Sequence, residues 1–106
     1  MKILFLIAGL VTPLAAMSMS DAHENVLRQF KSSSEKQAKD ALWTSASMFK
    51  VGVVDNGTPR DGYARYVCQT ISDAGLGGKG ITVQIIDIAK LVRTDKWIKL
   101  GEQRCS

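Results

Sequence analysis

The first twenty residues limit how much of this chain can fold, because they contain the three parts of a secretory signal peptide. Lys2 provides a positive start, residues 3–11 form an apolar stretch, and residues 13–16 supply a proline followed by small side chains. The apolar stretch is well short of the roughly 20 residues that span a bilayer. It therefore predicts export without a membrane anchor. Small residues offer three cleavage points, after Ala16, Ser18 or Ser20.

Residues 21–106 remain as a single small domain of fewer than 90 residues. A hydrophobic core of this size alone gives only marginal stability. The chain has two cysteines, Cys68 and Cys105, which in an oxidising compartment most simply form one disulfide. The disulfide would close a loop of nearly forty residues, which reduces the entropy of the unfolded chain and is worth roughly 4 kcal/mol of stability. We therefore predict a soluble exported domain that a Cys68–Cys105 disulfide holds together.

The first part of the domain, residues 21–42, has the apolar spacing of a helix, beginning at Ala22. Asp21 followed by Glu24 resembles a capping box. Three serines at 32–34 interrupt the pattern, so the segment is one frayed helix or two short ones. We expect it to be a mobile helical leader.

A second helix is predicted after residue 58. Thr58 suits the N-cap, Pro59 the first helical position and Asp61 the place of a capping acid. An apolar stripe follows and includes Cys68, which suits a structural disulfide better than a reactive thiol. Gly75 is predicted to end the helix in the left-handed conformation.

Three stretches are typical of strands, at residues 48–54, 81–92 and 97–104. A turn at residues 94–95 would join the last two into an antiparallel hairpin. Its register would place three pairs opposite each other: Val92 and Trp97, Leu91 and Ile98, Ala89 and Leu100.

The long stretch loses strict alternation at Ile85 and Ile86, and without a correction Asp87 would share a face with Val83 and Leu91. A bulge at Ile85–Ile86, or two covered faces, resolves this conflict. The order α-β-α-β-β predicts a small α+β domain in which helices pack on a three-stranded, mainly antiparallel sheet.

The sequence lacks the residues that phosphate-binding loops, zinc sites and redox motifs normally require. The glycine-rich stretch 75–80 follows a helix and opens a strand, the reverse of a phosphate-binding loop. His23 is the single histidine, and we expect it to be solvated on the first helix. One histidine and two distant cysteines do not suit a zinc site or a redox motif. We predict no catalytic residue, no metal and no cofactor.

The charge pattern indicates the kind of partner. The net charge is +4, and the basic residues lie scattered among ten acids. This distribution predicts a mixed solvated surface with some affinity for anionic partners. Scattered charge and export both argue against binding of nucleic acid.

The densest group of recognition residues lies at a strand–helix junction, residues 55–66. Backbone amides and arginines at such a junction can bind a carboxylate or a phosphate, and tyrosine and arginine are enriched at interfaces. The candidate binding residues are Asp55, Arg60, Arg65 and Tyr66. The alternative is helix capping with a local Asp61–Arg65 ion pair.

These features predict a non-enzymatic binding or accessory protein of the bacterial periplasm or extracellular medium. It would recognise a protein or an anionic envelope component through residues 55–66. An inhibitor or immunity protein against an exported toxin is an alternative. A small hydrolase using Asp87 or Asp61 is the other, since burial can raise the pKa of a carboxyl group into a useful range.

The predicted disulfide can be checked on the exported protein by thiol titration. The denatured, unreduced chain should show no reactive thiol, and its monomer mass should be two hydrogens below that of the reduced chain. Two titratable thiols would contradict the prediction.

Overall fold

The computed structural model describes residues 19–106, so the predicted signal peptide, apart from its last two residues, lies outside the described part. The elements in order are α1 (Asp21–Lys31), β1 (Asp40–Ser45), β2 (Met48–Val53), α2 (Asp61–Ile71), a π-helical turn (Ser72–Leu76), β3 (Thr82–Asp87), α3 (Ile88–Thr94) and β4 (Lys99–Arg104). Within this part of the chain, every helix is too short or too polar to cross a lipid bilayer.

The strands form one mixed sheet in the order β1-β2-β3-β4. β1 with β2 and β3 with β4 are antiparallel, whereas β2 and β3 run parallel. The predicted α+β class is confirmed, and the sheet has four strands where three were expected.

The main core lies on one face of this sheet, where alternate residues of the strands meet α1 and α2. Phe30 of α1, Phe49 of β2, Val67 of α2 and Ile85 of β3 are completely buried there. The opposite face carries α3, whose Ile88 packs directly on Gly52 of β2. The sheet is therefore covered by two helices on one side and by one short helix on the other.

The first helix is shorter than the sequence predicts, because it ends at Lys31 and residues 40–42 belong to β1. Ala41 is buried, Leu42 exposed and Trp43 buried, which is the two-residue period of a strand. Trp43 packs on Phe49 of β2, with ring centroids 4.6 Å apart. Pairing with β2 therefore determines the structure of this stretch, although its apolar spacing also fits a helix.

His23 is not solvated as predicted, since only 7% of it is exposed. It forms the capping box of α1 with Ser20, in place of the predicted Asp21 and Glu24. Its Nε2 lies 2.9 Å from the Ala46 carbonyl oxygen, and the Trp43 indole donates to the His23 carbonyl oxygen at 2.9 Å. His23 thus connects the first turn of α1 to β1 and the β1–β2 turn.

The predicted hairpin between the last two strands is wrong in its connection and register. β3 and β4 are antiparallel, but α3 joins them, and Ile86 lies opposite Lys99. Asp87 explains the helix, because its carboxylate accepts from the Lys90 backbone N–H at 3.1 Å and caps α3. The register between β3 and β4 shifts at Ile85 and Ile86, but the extra residue is Leu100 of β4, and β3 pairs with β2 without interruption. Ile85, Ile86 and Asp87 are all buried, which agrees with the predicted alternative of two covered faces.

The start of α2 also differs from the prediction, because Arg60 occupies the N-cap position and Thr58 does not. The Arg60 backbone N–H donates to the Leu100 carbonyl oxygen at 3.0 Å. The Asp61 carboxylate accepts from the backbone N–H of Glu102 at 2.9 Å. Contacts with β4 therefore determine where α2 begins.

A disulfide and a close backbone contact hold α2 against β4. The predicted Cys68–Cys105 disulfide is present, with the two Cα atoms 5.2 Å apart. Near the other end, a Cβ atom on Gly101 would lie 2.6 Å from the Arg60 carbonyl oxygen and 2.7 Å from the Asp61 nitrogen. Within the π-helical turn that follows α2, Gly75 has the predicted left-handed conformation, with φ 98°.

A substitution at Gly101 should separate α2 from β4. We expect Gly101→Ala to lower the free energy of unfolding by about 3 kcal/mol, because backbone atoms obstruct the new methyl group. Denaturant unfolding at fixed pH measures the change.

Gly62→Ala provides the matched control, since its Cβ would meet only the Arg65 side chain at 3.6 Å. It should be neutral or stabilise the protein by up to about 1 kcal/mol. Equal stability of the two variants would contradict the close backbone contact between Gly101 and the start of α2.

Candidate functional site

The candidate site is a surface cleft of about 560 Å³ between residues 35–37 and the first half of α2. We call it the α2 cleft and define it by Glu35, Gln37, Arg60, Tyr63 and Tyr66, which lie along its lining. These five residues contribute a carboxylate, an amide, a guanidinium group and two phenol rings, and Lys36 adds an ammonium group to the lining.

Arg60 is the most unusual residue of the α2 cleft, because only 7% of it is exposed. Its Nη1 donates to the Gln37 side-chain oxygen at 2.7 Å, and its Nη2 donates to the Val54 carbonyl oxygen at 2.8 Å. Its Nε is buried and has no hydrogen-bond partner.

The charge of Arg60 also lacks an ionic partner in the described part of the chain. The ion pairs found between residues 19 and 106 join Arg28 to Glu24, Lys31 to Asp40 and Lys99 to Glu102. A buried charge is costly unless it is paired. Arg60 therefore brings to the cleft a guanidinium group that neutral oxygens hold in place without neutralising it.

Tyr63 and Tyr66 form the aromatic side of the cleft. They stand three residues apart on α2, so they lie on the same face of the helix. Their rings are stacked, with centroids 5.7 Å apart and planes inclined by 25°. Tyr66 also meets Phe30 of α1 edge-on at 6.3 Å, which ties the exposed pair to the core.

Both tyrosine hydroxyls point to one carboxylate, that of Glu35. The Tyr66 hydroxyl donates to one Glu35 oxygen at 2.6 Å, and the Tyr63 hydroxyl lies 3.5 Å from the other. The Gln29 side-chain amide donates to the same carboxylate at 3.2 Å. Glu35 thereby connects the segment after α1 to the exposed face of α2.

These contacts alter the acidity of the two phenols. Burial and, after it, the Glu35 carboxylate raise the pKa of Tyr63 well above its ordinary value, although nearby Arg60 acts in the opposite direction. The hydrogen bond to Glu35 is the main cause that raises the pKa of Tyr66. Both hydroxyls therefore remain protonated donors further into the alkaline range than an ordinary tyrosine.

The structure separates the four binding residues that the sequence predicts. Arg60 and Tyr66 both line the α2 cleft. Arg65 is exposed on another side of α2, where it lines a hollow with residues 99–103. Asp55 lies outside the cleft lining, and its carboxylate accepts from the Gly57 backbone N–H at 2.9 Å.

Sequence reasoning missed Glu35 and Gln37. Both lie in the stretch predicted as helix, and both reach the cleft only because the chain leaves α1 at Lys31. The Gln37–Arg60 and Glu35–Tyr66 contacts join residues 23 and 31 positions apart. No periodic pattern in a single sequence indicates such a contact.

The two acids considered for hydrolysis each bind a backbone N–H. Asp87 caps α3 at Lys90, and Asp61 holds the backbone of Glu102. Neither acid lines the α2 cleft. Between residues 19 and 106, no group of three or more histidine, cysteine or acidic side chains is placed to hold a metal ion.

Comparison with known proteins gives no match: neither a family model, nor a curated protein, nor a solved structure aligns with this chain. Function is therefore inferred from the chemistry of the α2 cleft.

Tyrosine titration tests the Glu35 contacts, since Tyr63 and Tyr66 are the only tyrosines in the chain. Glu35→Gln removes the negative charge that faces both hydroxyls, so the pKa of each should fall, most of all that of Tyr66. The ultraviolet absorbance of tyrosinate, followed through the alkaline range, measures the shift.

Glu24→Gln is the control, because Glu24 is an exposed acid of α1 whose ion-pair partner is Arg28. This variant should titrate like the unmodified protein. If the tyrosine titration curves of Glu35→Gln and Glu24→Gln superimpose, Glu35 does not contact the two tyrosine hydroxyls.

Proposed function

We propose that this protein is an exported, non-enzymatic binding protein whose α2 cleft receives an anionic group of a partner protein or of an envelope component. The observation that carries the proposal is Arg60, a residue that is 7% exposed and whose guanidinium group has no carboxylate partner among the described residues. An incoming anion would supply the missing countercharge.

The hydrogen bonds of Arg60 support this role, because they hold the group in place while leaving part of its donor capacity unused. A guanidinium group has five N–H donors. Gln37 and Val54 accept from Nη1 and Nη2, and Nε has no acceptor. Gln37 is an exposed side chain, so its movement would open a path to the buried donors.

The tyrosine pair supports recognition of a larger molecule around that anion. Tyr66 is 46% exposed and stacks on Tyr63, so together they present a rigid, flat surface beside Arg60. Tyrosine and arginine side chains dominate the energetics of many protein interfaces. The cleft therefore suits a partner that places an acidic group next to an apolar or planar one.

Export is the second part of the proposal. The Cys68–Cys105 disulfide is compatible with an oxidising compartment, and the sequence of residues 1–20 has the pattern of a signal peptide. Both support a place in the periplasm or outside the cell. An inhibitor or immunity protein would be one kind of binding protein in that location.

Affinity capture tests the proposed site. The processed, oxidised protein is immobilised and exposed to envelope extract, and the retained molecules are quantified by mass spectrometry. Arg60→Ala should reduce capture of the main partner by more than about tenfold, because interface hot-spot residues often contribute 2 kcal/mol or more.

Arg65→Ala is the matched control, since it removes the same charge from the same helix but outside the α2 cleft. Arg65→Ala should retain the partner. Of the two variants at Tyr66, Tyr66→Phe should retain more of the partner than Tyr66→Ala, because it keeps the aromatic ring. Unfolding curves confirm that each variant is folded. Unchanged capture by a folded Arg60→Ala protein, or equal losses for Arg60→Ala and Arg65→Ala, would contradict the proposed site.

A further inference from the structure

The face of the sheet opposite α1 and α2 leaves several large apolar side chains exposed. The exposed fractions are 46% for Leu42, 76% for Val92, 50% for Trp97 and 37% for Ile98. Leu42 and Trp97 also line a shallow hollow of about 80 Å³ together with Leu91. Clustered apolar exposure of this kind marks an interaction surface. We call residues 88–99 together with Leu42 the α3 surface.

The α3 surface is held firmly, so its exposure does not come from a loose segment. Asp87 caps the helix at Lys90, and Ile88 lies so close to Gly52 that a Cβ there would stand 2.8 Å from its terminal methyl group. The Asp87 backbone N–H donates to the Ile98 carbonyl oxygen at 2.9 Å, which fixes the return of the chain. Nevertheless, no residue of α3 is buried.

The same segment is strongly basic. Residues 88–99 contain four cationic side chains and one acidic side chain; these are Lys90, Arg93, Lys96, Lys99 and Asp95. All five are exposed. Lys50 adds a further positive charge next to Trp97, with its Nζ 5.2 Å from the ring centroid. Lys99 pairs with Glu102 and also lines the hollow beside Arg65 of α2, so the positive charge of the α3 surface comes mainly from Lys90, Arg93 and Lys96 together with Lys50. Asp40, which lines the hollow next to Trp97, pairs with Lys31.

We propose that the α3 surface docks on the surface of an anionic lipid bilayer. Tryptophan favours the headgroup level of a membrane, and basic side chains around short apolar groups favour peripheral binding to anionic lipids. Trp97, Ile98 and Val92 would enter the interface, and the surrounding lysines would lie at the level of the phosphates. Lysine is depleted in protein–protein interfaces, so this composition favours a lipid partner over a protein.

This docking is independent of the α2 cleft, because the two regions lie on opposite faces of the sheet. α2 packs its apolar residues into the main core, whereas Ile88 of α3 contacts the other face at Gly52. A membrane-bound molecule would therefore keep Arg60 and the two tyrosines accessible to a partner.

Vesicle binding tests the proposal with the processed, oxidised protein. Vesicles containing phosphatidylglycerol should sediment with the protein at low salt, and vesicles of phosphatidylcholine alone should not. Binding should weaken as salt screens the charges. The fluorescence of Trp97 should shift to shorter wavelength on binding, while buried Trp43, which is 8% exposed, adds a constant background.

Charge reversals locate the contact. Lys96→Glu should reduce partitioning to anionic vesicles by more than about tenfold, because each basic residue near such a surface contributes roughly a fivefold factor. Lys79→Glu is the matched control, since Lys79 is exposed in the glycine-rich loop before β3, whereas α3 follows the other end of that strand. Trp97→Ser should remove the spectral shift and weaken binding.

Three outcomes would overturn the proposal. The first is a lack of binding to phosphatidylglycerol vesicles. The second is equal weakening by Lys79→Glu and Lys96→Glu, which would indicate general charge attraction. The third is sedimentation without a shift in Trp97 fluorescence, which would place the contact elsewhere. If the unmodified protein binds no vesicles, and Lys96→Glu fails to capture a protein that the unmodified chain captures, the α3 surface binds a protein partner instead of a lipid bilayer.

Discussion

The attachment of α2 to β4 is the constraint on which the rest of this small domain depends. The Cys68–Cys105 disulfide fixes the middle of the helix to the end of the strand. The absence of a side chain on Gly101 lets the backbone at Arg60 and Asp61 approach the strand closely. Two attachment points fix both the position and the direction of a helix. They therefore determine where Arg60 and the tyrosines one and two turns later meet the segment that follows α1.

Local signals predicted much of the architecture correctly. Two cysteines in a short chain predicted the disulfide, and Gly75 predicted a left-handed residue after the second helix; both are confirmed. The doubled apolar pair Ile85–Ile86 reflects two covered faces of the sheet, one of the two predicted alternatives, because both side chains are buried and the irregular residue lies in β4. Errors arose where a residue had two possible roles. Asp87 was assigned to the interior of a long strand but ends β3 and caps α3, and residues 40–42 were assigned to a helix but pair with β2 as part of β1. Pairing with β2 decided the second case, whereas the first depends on a local hydrogen bond from the Lys90 backbone N–H.

The α2 cleft was predictable only in part, for a physical reason. Arg60 and Tyr66 could be selected because they lie near each other in sequence at a strand–helix junction. Glu35 and Gln37 could not, because their contacts close long loops and depend on where α1 ends. The sequence also could not predict that Arg65 lies outside the cleft, because the rotation of α2 against β4 decides which arginine faces the cleft. The positions of Glu35, Gln37 and Arg65 depend on how α1 and α2 pack on the sheet, which local sequence patterns do not show.

Photo-crosslinking in living cells tests the central claim, that the α2 cleft is where a partner binds. A benzophenone amino acid replaces Tyr66, which lines the cleft, or Arg65, its exposed neighbour outside the lining. Irradiation should give a discrete adduct from position 66, which is lost when Arg60→Ala is added, and none from position 65. Adducts of equal yield from both positions, or an adduct at 66 that Arg60→Ala leaves intact, would contradict the account.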